Sequence, residues 1–138
     1  MSTDSRLLDT TTLSEVIKGR DLSLLRCARE YLLIHGRFQF SIITKYEILR
    51  GLQAKDAVRQ IERFEEQCRL SLVLPLSDEI VVRAAKIYGS LHKRGTLIED
   101  ADILIAATAL VHGLGLVTEN PSHFGRIPDL TVESWRSS

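Results

Sequence analysis

Short apolar, β-branched or aromatic runs alternate along this chain with stretches whose apolar residues recur at helical spacing, and this alternation restricts the fold more than any single motif. Residues 6–9, 38–43, 70–74, 114–118 and 130–133 read as strands. Between them, Thr12-Leu13-Ser14-Glu15 has capping-box spacing and opens a first helix. Asp21 caps a second, striped by Leu24, Leu25, Ala28, Tyr31 and Leu32 and stopped by His35-Gly36. Helices are expected next over residues 44–51 and 54–68, the latter burying Ala54, Ala57, Val58, Ile61 and Phe64. Ser77 or Asp78 caps a long helix through Lys93, with Ile80, Ala84, Ile87, Tyr88 and Leu91 on one face and Gly95 as its break. Residues 102–112 are apolar on every side, which predicts an enclosed central helix. Such alternation implies an α/β fold: a mainly parallel sheet between two helical layers, a three-layer α/β/α sandwich.

Length sets the scale of that fold. The 138 residues suit one domain, 1–138, with no internal repeat, low-complexity tract or linker. Eighteen basic and eighteen acidic side chains cancel, so no global field attracts a polyanion. Any nucleic-acid binding must come from a local basic patch. The longest apolar run, 103–111, is far below the roughly 20 residues of a membrane span. The polar start, Met1 to Arg6, is unlike a secretory signal, and Cys27 and Cys68 lack metal-ligand spacing and read as small core hydrophobes. Together these features predict a soluble protein of the reducing cytoplasm.

The placement of the acids is more telling. In open parallel sheets ligands bind beyond the carboxyl ends of the strands. Asp9 ends the first strand, Glu47 falls in the first turn of the helix after the second, and Asn120 follows the fourth, next to Glu119. Asp102 opens the helix that feeds the fourth strand. Residues 94–101 must return along the long helix, and eight extended residues reach roughly 26 Å, against roughly 25 Å for the helix. Four oxygen-bearing side chains therefore converge on one edge, with Asp100 as a fifth candidate. Crowded carboxylates raise one another's pKa unless a cation neutralises them. Oxygen ligands without Cys or His suit Mg²⁺ or Mn²⁺ and disfavour zinc. Metal-assisted phosphodiester hydrolysis is the reaction these residue types favour.

Each acid also has a purely structural reading. Glu47 lies three residues after Thr44, the spacing of a capping box. Asp100 is placed to cap a helix beginning at Ala101. The helix dipole alone favours Asp102 in a first turn, although it opens an apolar helix and is costly to bury unpaired. Asp9 can form an Asx-turn, and Asn120-Pro121 is a common turn dipeptide.

The residues also resemble a family. Leu7-Leu8-Asp9-Thr10 with Thr12-Leu13-Ser14 is similar to the opening strand and turn of PIN domains of the VapC type. The run from Ser41 to Gly51 around Glu47 is similar to their second block, and that from Ile98 to Ala109 around Asp100 and Asp102 to their third. Gly115-Leu116-Val117-Thr118-Glu119-Asn120, then Phe124, Ile127-Pro128 and Leu130, is similar to the fourth. The resemblance covers nearly the whole chain. It implies a PIN-like fold and coordination of Mg²⁺ or Mn²⁺ by Asp9, Glu47 and Asp102, with Asn120 at the fourth position. It also implies hydrolysis of RNA, tRNA among the candidates, by metal-activated water that leaves 5′-phosphate and 3′-hydroxyl ends. A cognate antitoxin and a homodimer follow by the same resemblance. Departures are visible: the fourth position is often Asp in the family, so the neutral Asn120 weakens a second metal unless Asp100 or Glu119 contributes. Glu119 stands where a basic residue is usual, and Thr11 where Asn or another polar residue is.

Thr11 is a candidate for orienting a water, and Lys45 and Arg50 beside Glu47, with Lys18 and Arg20 after the first helix, for phosphate contacts. Arg59, Arg63, Glu62, Glu65 and Glu66 read as a solvated face, His35, His92, His112 and His123 as surface or cap residues, and Trp135 as packing the C-terminus down. Rival readings are a phosphatase or receiver domain and a catalytically weak PIN-like module that binds RNA or protein. The first lacks a second acid two residues after Asp9, where Thr11 stands, and the receiver's early acid pair and late lysine are also missing.

Overall fold

A computed structural model describes residues 4–136. Met1, Ser2 and Thr3, on which the reading of the N-terminus rests, lie outside the described residues. Five strands, β1 (Arg6–Leu8), β2 (Gln39–Ser41), β3 (Leu72–Leu74), β4 (Gly115–Val117) and β5 (Val132–Glu133), form one sheet in the order β3-β2-β1-β4-β5. Every pairing is parallel, with Leu8 opposite both Phe40 and Val117. The sheet is thus wholly rather than mainly parallel.

Alternation along the strands splits the core in two. Leu7, Leu74 and Leu116 point to one face, where α5 (Asp78–Lys93), α6 (Asp100–Val111) and α7 (Pro121–Phe124) cover them. Leu8, Phe40 and Val117 point to the other, beneath α1 (Thr10–Lys18), α2 (Leu22–His35), α3 (Ile42–Ala54) and α4 (Val58–Arg69). These are the three expected layers. On the second face Trp135 packs on Tyr31 and Phe38, ring centroids 5.6 and 6.3 Å apart, and so holds the C-terminus down. Cys68 is buried and Cys27 half-buried against the core of this face. Among the described residues no helix is long and apolar enough to cross a membrane.

Helix starts differ from expectation in a consistent way. Thr12 does not begin α1; Asp9 is its N-cap, so strand, cap and helix follow one another without a loop. Ser41 rather than Thr44 caps α3, again directly at a strand end, and Glu47 consequently lies in the second turn. The reading of Glu47 as a capping-box residue fails with it. The next helix starts at Val58, not Ala54, because α3 runs on to Ala54 and Asp56 turns the chain with a left-handed φ of 52°. Ala54 and Val58 are exposed, and Phe64 and Cys68 are the buried residues of α4. Tyr88 of α5 is exposed rather than on the buried face. Glu99, not Asp100, occupies the N-cap position of α6. The central helix itself is as expected, with Ile103, Ile105, Ala106, Ala107 and Ala109 buried. The short helix α7 was not anticipated; it grows from the Asn120-Pro121 turn, with Pro121 at its first position.

Candidate active site

The parallel order brings the carboxyl ends of β1, β2 and β4 together, and three acids meet there. Asp9 caps α1 and is 2% exposed. Its Oδ1 accepts from the Thr12 N–H at 2.8 Å and from the Thr11 hydroxyl at 2.8 Å, while its Oδ2 accepts from the Thr118 hydroxyl at the end of β4. Burial pushes the Asp9 carboxyl above the ordinary carboxylate range, and the hydrogen bonds from Thr118, Thr12 and Thr11 oppose that shift without cancelling it. Among the described residues no cation forms an ion pair with it.

Asp102 sits in the first turn of α6, held 3.4 Å from Nδ1 of His123 on α7. Burial raises its carboxyl too; His123 works against the rise, while Asp9, Glu47 and Glu99 add to it. Asp9, Glu47 and Asp102 therefore share one electrostatic neighbourhood. Glu47 reaches it from α3, its Oε1 accepting from the Thr10 hydroxyl at 2.6 Å and its Oε2 lying 3.6 Å from the Arg50 guanidinium.

The other candidates are less closely drawn in. Asn120 is exposed; its N–H donates to the Thr118 hydroxyl at 3.0 Å, but its side chain makes no hydrogen bond to the three acids. Asp100 is exposed and borders an apolar hollow between α5 and α6, with Ala84, Tyr88 and Leu104. Glu119 is also turned away: its carboxylate accepts from Thr12 at 3.2 Å and Ser134 at 2.8 Å, and so pins the C-terminal segment. Thr11 touches Asp9 directly, Lys45 pairs with Glu65 at 3.8 Å, and Arg50 lies 5.4 Å from the Tyr46 ring centre besides its contact with Glu47.

Sequence reasoning missed Thr10, Thr118 and His123. The two threonines flank sheet-edge residues in motifs already singled out, which was the available signal. His123 is no mere surface or cap residue, because α7 turns its ring onto Asp102.

The donors are of one chemical kind. Carboxylate oxygens, with hydroxyls behind them and no cysteine, suit a hard divalent cation. As they stand, no three His, Cys, Asp or Glu side chains among the described residues close into an ion cage. Each acid is instead turned to its own partner: Asp9 to the threonines, Glu47 to Thr10 and Asp102 to His123. Donor chemistry and the absence of a paired cation at Asp9 among the described residues fit a hard divalent metal.

Known proteins are similar to this chain in sequence and in fold. The PIN domain family profile matches residues 6–130. Ribonuclease VapC1 of Methanocaldococcus jannaschii is 35% identical over 92% of this chain and 84% of its own length. Ribonuclease VapC19 of Mycobacterium tuberculosis is 33% identical over 91% of this chain and 96% of its own. Among solved structures, the DNA-bound VapBC of Salmonella typhimurium superposes with a TM-score of 0.85 at 27% identity, covering 95% of this chain and 98% of that one. With the family profile spanning most of its length and relatives of 33–35% identity covered nearly end to end, the chain belongs to the PIN domain family and, within it, to the VapC ribonucleases.

Proposed function

We propose that this protein is a Mg²⁺- or Mn²⁺-dependent endoribonuclease, the toxin of a toxin–antitoxin pair, with Asp9, Glu47 and Asp102 as metal ligands and Asn120 completing the site. The observation that carries this reading is Asp9: a buried carboxylate with no cation paired to it among the described residues, whose charge adds to the rise that burial imposes on the neighbouring Asp102. A divalent ion held by Asp9, Glu47 and Asp102 would supply the missing charge, activate a water and shield the phosphodiester. The chain's own residues do the positioning. Thr11, Thr118 and the Thr12 N–H fix the plane of the Asp9 carboxylate, and Thr10 fixes Glu47. His123 orients Asp102 from α7. Because water is the nucleophile, the RNA 2′-hydroxyl takes no part, and the products carry 5′-phosphate and 3′-hydroxyl ends.

By the same reading the substrate is RNA, tRNA among the candidates, and a cognate antitoxin silences the protein, as the VapBC assembly of the Salmonella relative suggests. A homodimer in the cytoplasm is the working form. The exposed, uncharged Asn120 side chain favours one second reading, a catalytically weak module that binds RNA or protein.

Incubating RNA with the protein in Mg²⁺ or Mn²⁺ and in EDTA, followed by end-group analysis, separates these readings. Cleavage with metal, none with EDTA, and 5′-phosphate ends are expected. Cleavage that persists in EDTA, or 2′,3′-cyclic phosphate ends, contradicts the metal mechanism. RNA that stays intact with every metal favours the binding module.

A further inference from the structure

A groove of about 660 Å³ opens between α1, α3 and α4, and it begins at the site: Thr10 and Glu47 form its inner end. Its walls carry four cations against that one carboxylate. Lys18 and Arg20 stand at the end of α1, and Lys55 and Arg63 face them from α3–α4. In a chain whose eighteen basic and eighteen acidic residues cancel, this is a strong local concentration of charge. Lys18 and Arg20 share Glu15 at 4.0 and 3.7 Å, both exposed and weakly held. Lys55 and Arg63 form no ion pair among the described residues, so α4 does not carry its charges merely as a self-paired solvated face. The groove's aromatic ring, Phe64, is buried and offers no stacking platform.

We infer that this groove holds the phosphodiester backbone of the RNA beside the scissile bond, with Lys55 and Arg63 on one wall and Lys18 and Arg20 on the other. Cations on both sides and no exposed ring favour contact with phosphates over reading of bases. The groove thus positions the strand and leaves sequence choice to other contacts. The inference rests on the ribonuclease reading.

The test is binding of a fluorescein-labelled single-stranded RNA in EDTA, followed by anisotropy across a salt series. Each single-strand phosphate contact contributes about 0.7 to the slope of log K against log salt. Lys55→Gln with Arg63→Gln should therefore flatten the slope by about 1.4, equally for unrelated RNA sequences. Lys55→Arg with Arg63→Lys should restore it, whereas Arg59→Gln, outside the groove, should leave it unchanged. An unaltered slope in the double variant, or no salt-dependent binding by the unsubstituted protein, overturns the inference. So does a double variant that keeps the RNA slope but loses binding to a poly-glutamate peptide, which would make the groove an acidic-peptide site. If the unsubstituted protein cleaves RNA with metal while the double variant keeps its slope, the groove assignment alone fails. If the protein cleaves no RNA at all, the ribonuclease reading fails.

Discussion

The Asp9 carboxylate caps a helix and, in the proposed function, ligates a metal, and substitution separates these two roles. Asparagine is as good an N-cap as aspartate, so Asp9→Asn can keep the bond from the Thr12 N–H while removing the charge and replacing the oxygen that accepts from Thr118 with an amide NH2. Cleavage should fall by about a hundredfold or more, since several kcal/mol of metal-derived stabilisation is lost at about 1.4 kcal/mol per tenfold. Stability in EDTA should move the other way. The Asp9 pKa is raised in the folded protein above its ordinary 3.8. The corresponding stability is complete below that ordinary value and is lost as pH rises through the raised one. Asp9→Asn should therefore melt higher than the unsubstituted protein, with a gap that widens as pH rises above about 3.8 until the folded-state carboxyl has ionised. Thermal melts in EDTA measure this. A gap that narrows with rising pH would mean that Asp9 is stabilised as the carboxylate. At Asn120, restoring a carboxylate should lower the half-saturating Mn²⁺ concentration for cleavage, and equal values for Asn120→Asp, Asn120→Ala and the unsubstituted protein would place that side chain outside the site. Asp9, Glu47 and Asp102 were placed together from the sequence because one ends a strand and the others lie in helix turns that start at the carboxyl edge of the sheet. Thr118 and His123 were not, because their partners lie on segments 109 and 21 residues away and depend on which strands are neighbours.

Elements were legible wherever an apolar stripe was long. The stripes of α2, α5 and α6 each gave nearly correct ends, since a mistake of one turn would expose several buried side chains. Helix starts were harder to read. Thr12 and Thr44 are as plausible caps as Asp9 and Ser41, and only the close joining of strand to helix selects the earlier residue in both cases. The short α7 has one buried residue, Phe124, too little apolar periodicity to be recognised. Glu119 ties these elements to the C-terminus. It stands at the end of β4, bonds Thr12 of α1 and Ser134, and meets the Trp135 N–H at 3.4 Å. Glu119→Ala removes the acceptor of Ser134 and of the Trp135 N–H, while Thr12 keeps the Val117 carbonyl, and should cost about 1 kcal/mol in chemical denaturation. Hydrogen exchange should also rise at Trp135. Protection and stability that stay unchanged would show the clasp to be unimportant.

The whole molecule divides its charge although its sum is zero. Acids gather at the carboxyl edge of the sheet, cations line the adjoining groove, and the net charge reports neither. Fold class was therefore readable from apolar alternation, and the acid edge from the rule for parallel sheets. The groove was not, because Arg63 lies among acids in sequence and joins Lys18 only when α4 packs beside α1 and α3. The central claim is that Asp9, Glu47 and Asp102 bind the divalent ion on which RNA cleavage depends. Mn²⁺ binding, followed by loss of the free-ion paramagnetic resonance signal, tests it when cleavage is assayed on the same samples of unsubstituted protein and Asp102→Asn. Saturable binding and cleavage by the former, and loss of both together in the variant, are predicted. A variant that binds Mn²⁺ as the unsubstituted protein does and still cleaves RNA would contradict the account.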